Sequence, residues 1–203
     1  FSVSPDKQYI LKGVIGKPFS YLVPWSGFPA SYTITYMSGK TVRTITNNPS
    51  SEGAPIGFDD VVNFPRNIDW RDDEPATIYY VQALDKGLGR TASANRDAVY
   101  TLTASGNEPP KELIRTKRRF RGIDWGNAQT ALLYEAMFAD RKSRINLLNP
   151  ATGAVDSLHE RSSNDAYNAC KNAQRCRTTE AAANRSTPRT RKDPVRNKPA
   201  DRI

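Results

Sequence analysis

The sequence predicts an all-β fold: a partial β-propeller of about three four-stranded antiparallel blades over residues 1–168, followed by a basic, low-hydrophobicity tail at 169–203 expected to be disordered or out of frame. Three observations predict it. Apolar residues come in short alternating or β-branched runs separated by Gly, Pro, Asn and Asp, the grammar of strands and turns. A segment centred on Ile-Asp-Trp returns 55 residues later in the same register. After Asn168 the large aliphatic residues vanish except for Val195 and Ile203.

Taken in order, strands are expected at 9–15, 31–37, 41–46, 67–70, 76–83, 98–102, 122–125, 130–138 and 143–148, with an outer strand returning at 154–158. Helical periodicity is nearly absent, leaving short helices only near Glu112 and in the Ala-containing tail. The turn Asn149-Pro150-Ala151-Thr152-Gly153 combines a residue that pre-sets φ with one that supplies positive φ.

Sliding the chain by 55 places Arg66-Asn67-Ile68-Asp69-Trp70 over Arg121-Gly122-Ile123-Asp124-Trp125, then Ala76 over Ala131, Tyr79 over Tyr134 and Asp85 over Asp140. That is 7 identities in the 20 positions from 66 to 85, enough to rank a repeat above any single motif. Blades run to roughly 40–50 residues, so a period of 55 needs only a longer loop. Residues 1–50 read as an earlier, more divergent copy, with Ser4-Pro5-Asp6 leading into Tyr9 and a Ser38-Gly39-Lys40 turn. An immunoglobulin-like sandwich over 1–105 would explain the strand spacing. It would not explain the recurrence of Ile-Asp-Trp.

Charge divides the chain the same way. Residues 1–168 carry 20 Lys+Arg against 18 Asp+Glu, while 169–203 carry 10 against 3, so 7 of the 9 net positive charges lie in the tail. A basic arm of this kind, including Arg189-Thr190-Arg191-Lys192-Asp193-Pro194, binds nucleic acid through phosphates, but with no aromatic after Tyr167 to stack on bases that role is disfavoured. No apolar run reaches the roughly 18–20 residues of a membrane span. Cys170 and Cys176 are too few for a structural zinc site.

The residues that invite a functional role each have a plainer reading. Trp70 and Trp125, at equal repeat positions, read as core wedges between neighbouring sheets. Asp69 and Asp124 read as acceptors of turn or inter-blade hydrogen bonds rather than an acid–base pair. Asp72-Asp73-Glu74 lacks the spaced ligands of a calcium loop and reads as an exposed turn. Lys117-Arg118-Arg119-Phe120-Arg121 reads as a solvated approach to a first strand. The single histidine, His159, reads as a surface strand residue. No catalytic, cofactor-binding or metal-binding residue is assigned, and no cofactor is expected. Pro18-Phe19-Ser20-Tyr21 differs: it is an aromatic-rich loop suited to meeting another domain.

Several of these segments, in order, resemble one family. Pro18-Phe19-Ser20-Tyr21-Leu22-Val23-Pro24 is similar to a segment in the N-terminal propeller of prolyl oligopeptidase-family serine peptidases, glutamyl endopeptidase-like branch. Trp70-Arg71-Asp72-Asp73-Glu74-Pro75-Ala76-Thr77, Gln82-Ala83-Leu84-Asp85, Gly122-Ile123-Asp124-Trp125-Gly126 and Asp140-Arg141-Lys142 fit the same pattern over about residues 1–168. The resemblance implies a seven-bladed propeller that gates peptide substrates, joined to an α/β-hydrolase domain with a Ser-Asp-His triad, in a protein found secreted or periplasmic as well as in organelles. This chain holds no Gly-x-Ser-x-Gly elbow, so the resemblance implies an inactive propeller fragment. The departure after Asn168 reads as a frameshift or assembly error that replaced the rest. Such an open set of blades is expected to be marginally stable alone; a stand-alone binding or scaffold module is the alternative.

Overall fold

A computed structural model describes residues 1–164. The expected tail at 169–203, with both cysteines, the basic arm and the tail helix, lies outside the described residues, as do 165–168. The described residues form three four-stranded antiparallel sheets, each a simple meander in chain order. The first holds β1 (Ser2–Val3), β2 (Tyr9–Ile15), β3 (Ala30–Tyr36) and β4 (Thr41–Asn48). The second holds β5 (Arg66–Trp70), β6 (Thr77–Ala83), β7 (Asp97–Thr103) and β8 (Lys111–Thr116), and the third β9 (Arg119–Asn127), β10 (Thr130–Met137), β11 (Lys142–Leu148) and β12 (Val155–Ser162). The only helical element among the described residues is a 3₁₀ turn at Trp25–Gly27. No strand crosses from one sheet to the next, which excludes the sandwich.

Period-2 alternation builds the stack. On β6, Ile78 faces the first sheet and Val81 the third, and both are 0% exposed because the middle sheet is covered on both faces. On β10, Ala131 and Leu133 pack on the middle sheet, Glu135 and Met137 follow buried in the same alternation, and positions 130, 132, 134 and 136 are half-buried. Two apolar clusters result. Tyr9, Leu11 and Ile34 meet Trp70, Ile78, Leu102 and Ala104 at the first junction. At the second, Val81, Val99 and Ile114 meet Phe120, Ile123, Leu133 and Leu148.

The helix expected near Glu112 is instead the strand β8. The Glu112–Arg115 pair has helical i,i+3 spacing, yet Ile114 and Thr116 alternate inward and the segment pairs with β7 from Asp97↔Thr116 to Thr101↔Lys111. Burial of Ile114 beside Val81 and Val99 outweighs a solvent-exposed ion pair.

The repeat also slides. Asp69 lies opposite Tyr79, but Asp124 lies opposite Leu132 rather than Tyr134. A slip of two keeps every side chain on its face, whereas a slip of one would turn the sheet inside out. Its consequence falls on the arginines: Arg66 opposes Val81 and Arg119 opposes Ala136, so Arg119, not Arg121, takes the place of Arg66 in the third sheet.

Meander topology sends the connections after β2, β4, β6 and β10 out of the same end of their sheets. Three of them are long, spanning 16–29, 49–65 and 84–96, whereas 37–40 and 149–154 at the other end are tight turns. Gly153 in the second of these has φ 73°, the positive value its turn demands.

Candidate functional site

The candidate site is the long-loop end, and the connection 49–65 organises it. Ser51 donates its amide to the Gly27 carbonyl (2.8 Å), tying the strap to loop 16–29. Val61 donates to Gly87 (3.0 Å), and the Asp60 carboxylate accepts from Gly89 (2.7 Å), tying it to loop 84–96. The Asp59 carboxylate accepts from both Phe138 (2.7 Å) and Ala139 (2.8 Å), capping the β10–β11 turn, where Phe58 stacks on Phe138 with centroids 4.1 Å apart. Gly87 has φ 79°, and a Cβ there would run into the Val61 carbonyl, so only glycine lets the strap lie flat.

Beneath the strap lies a buried ion network. Arg119, 1% exposed, bonds Asp85 through Nη2 (2.8 Å), Asp97 through Nη1 (3.0 Å) and the Asp59 carbonyl through Nε (2.6 Å). Arg96 also reaches Asp85 (2.8 Å), and Arg66 contacts the second oxygen of Asp97 (2.6 Å). Phe120 donates its amide to that same oxygen (2.8 Å), and Gly87 donates to Asp85 (3.1 Å). Burial by itself pushes the Asp85 carboxyl up, but the bonds from Arg119 and Arg96 outweigh it and hold the group below its ordinary range. Each carboxylate meets two guanidiniums, so three arginines face two aspartates, and Arg66 Nη1 and Nη2 are buried without a hydrogen bond; the network fixes geometry at a cost in buried charge.

This overturns the reading of 117–121 as a solvated edge: Arg119 and Phe120 are buried at the start of β9. It also narrows that of 72–74. Asp72 is exposed, but the Asp73 side chain is 0% exposed and holds the buried Arg71 in a bidentate pair at 3.0 and 2.7 Å, with Glu74 at 3.0 Å. Those carboxylates neutralise an arginine.

The tryptophans are wedges. Trp70 is 5% exposed in the first junction and donates its indole to the Ser2 carbonyl (3.2 Å). Trp125 packs against Tyr79 in the second, and the Arg71 guanidinium lies 4.4 Å over its ring. Burial, followed by the nearby Asp69, Asp72 and Asp124, pushes the Tyr79 hydroxyl up to about 12, so it stays neutral there. Asp69 accepts from the Trp70 amide (2.9 Å) and, between sheets, from Ser2 (3.4 Å); Asp124 accepts from Tyr134 (2.8 Å) within its own sheet. The two aspartates belong to different sheets and accept from different donors, and both act on the Tyr79 hydroxyl. His159 lies on β12 opposite Ile145, with Nε2 buried and without a hydrogen bond. Pro18, Phe19, Ser20 and Tyr21 sit on the long-loop end, with Tyr21 fully exposed and Phe19 60% exposed.

The chain is 33% identical over 168 residues to a protein of Oryza sativa subsp. japonica named probable glutamyl endopeptidase, chloroplastic, covering 81% of this chain and 18% of the rice protein. Both relatives found are peptidases by name. The second, from Arabidopsis thaliana and named identically, is 32% identical over 168 residues, 81% of this chain and 17% of its own. These names support a peptidase-related role for the family. The chain thus spans less than a fifth of the length of the curated relatives it matches. No family model matches it.

Proposed function

We propose that this chain is a substrate-gating propeller segment of a prolyl oligopeptidase-like serine peptidase, with peptides as the substrate of the whole protein. The observation that carries the reading is the pairing of consecutive four-stranded meanders with a likeness to proteins named endopeptidases of which they make up less than a fifth. Blade-like sheets supply a rigid wall and loops at their ends. Hydrolysis needs a nucleophile, a base and an orienting acid within hydrogen-bond reach, and the one histidine stands on an outer strand. The chemistry therefore belongs to an α/β-hydrolase portion elsewhere in the whole protein.

A fluorophosphonate probe, which labels activated serines, tests this together with an internally quenched peptide carrying one glutamyl bond. The intact rice relative should take the label and cleave the peptide, while the 203-residue chain does neither. Labelling or cleavage by the isolated chain, or an unlabelled relative, would sink the proposal.

A further inference from the structure

Arg66 and Arg119 hold equivalent places in the second and third sheets, yet their donors are used very differently. Arg119 bonds two carboxylates and the carbonyls of Asp59 and Arg96. Arg66 meets a single carboxylate oxygen, that of Asp97 at 2.6 Å through Nη2, and its Nη1 is buried without a partner. A guanidinium is rich in N–H donors and has no acceptor, so a buried nitrogen left unbonded calls for an explanation. Charge shows the same imbalance, because the guanidiniums of Arg66, Arg96 and Arg119 face only the carboxylates of Asp85 and Asp97.

Arg66 lines a cavity of about 270 Å³ at the first junction, bounded by loop 16–29, the start of β3, the end of the strap and the start of β5. Phe28, Tyr32, Phe64 and Ile68, all half-buried, supply apolar wall, and no acidic side chain among the described residues lines it. Arg66 is thus the one charged group in that lining. The backbone is shaped here as well. Asn67, the next residue, lines the same cavity with φ 52°, in a bulge that sets three steps of β5 against two of β6. A bulge re-aims the side chains beside it, and left-handed backbone at a non-glycine residue persists only where its surroundings hold it.

We propose that this cavity binds a small monocarboxylate with an apolar or aromatic body, its carboxylate on Arg66 and its body against Phe28, Tyr32 and Phe64. A guanidinium already shared with Asp97 suits a single negative charge, whereas a dianion would set a second charge against that aspartate. The cavity falls just below the roughly 300–1,000 Å³ of sites for drug-sized ligands, which fits a small molecule and not a stretch of peptide. The assignment is independent of the peptidase reading.

Calorimetric titration of the 203-residue chain with 3-phenylpropanoate near neutral pH tests it. Saturable binding is expected, with the neutral 3-phenylpropanamide at least about tenfold weaker for want of the charge-assisted contact. Arg66→Gln should weaken binding of the acid by a similar factor. That variant also takes a partner from Asp97, so Ser26→Asp supplies an arm free of the network: Ser26 is exposed and lines the cavity, and a carboxylate there should repel the ligand while the urea midpoint stays unchanged. Thr152→Asp, in the exposed turn at the opposite end, should leave binding as it is. No saturable binding of the acid overturns the proposal. Equal affinity for acid and amide overturns it in favour of an apolar pocket alone, and unchanged binding in Ser26→Asp puts the site elsewhere. Tighter binding of the phenylphosphonate dianion removes the monocarboxylate assignment, and displacement of the acid by a blocked tripeptide with a central glutamate identifies a peptide subsite instead. None of these readouts involves cleavage, so the peptidase reading stands or falls separately.

Discussion

The two junctions between sheets are built around the same repeated Asp-Trp unit and are secured differently. At the first, Trp70 is sealed among Tyr9, Leu11, Ile34, Ile78 and Leu102 and its indole has a partner. At the second, Trp125 is only half-buried, its indole nitrogen is buried without a hydrogen bond, and Arg71 lies over the ring. What the second wedge lacks in burial is supplied by Arg119 and its two aspartates. Hydrophobic burial is non-directional and holds sheets together without fixing their rotation; a forked guanidinium bonded to two carboxylates and to the Asp59 and Arg96 carbonyls fixes position. The ionic junction is also the one beneath the long loops.

Arg119→Met strikes the difference hardest. It leaves Asp85 with Arg96 and Asp97 with Arg66 but removes the guanidinium that joins them and its bonds to the Asp59 and Arg96 carbonyls, for an expected loss of about 4 kcal/mol, measured by urea unfolding of the full chain. A loss below about 1 kcal/mol would mean that the network contributes no more than surface pairs do. Trp70→Ala should cost about 3–4 kcal/mol through the cavity it leaves in the apolar junction. Trp125→Ala, at the equivalent but half-buried position, should cost about 1–2 kcal/mol, part of it the lost cation–π contact. Equal costs for the two tryptophans would erase the contrast.

Acid sharpens it further. Asp85 has a depressed folded pKa, so its stabilisation is complete above the unfolded carboxylate value of about 3.9 and is lost as pH falls through the folded value. Asp85→Asn should therefore flatten the fall of the urea midpoint below about pH 4. Glu160 gives the smallest effect. Hydrogen bonds from Lys142 and then Arg144 hold its carboxyl down to about 2, but the group is on the surface, where the bonds are screened. Glu160→Gln should lower the midpoint at pH 7 only slightly, with the difference vanishing as pH falls from about 4 to 2 and disappearing in 1 M NaCl.

Local pattern was enough for most of the strands and for their grouping. The strand expected at 9–15 coincides with β2, and the others fall within a few residues of β3–β7 and β9–β12, because alternation reports directly on which face is buried. The two Asp-Trp copies likewise announced two wedges. Arg119 was a different matter. A Lys-Arg-Arg run carries no local sign of burial, and its partners Asp85 and Asp97 lie 34 and 22 residues away in sequence. A faint signal existed: the repeat aligned Asp85 with Asp140, and the two accept from neighbouring arginines, Arg119 and Arg118. The strap was invisible for the same reason, since Asp59 acts on turn amides some 80 residues on. Side-chain alternation is a property of consecutive residues and can be read along the chain. Where a charge finds its counter-charge depends on which strand ends the sheets bring together, here through a two-residue slip that put Arg119 in the place of Arg66.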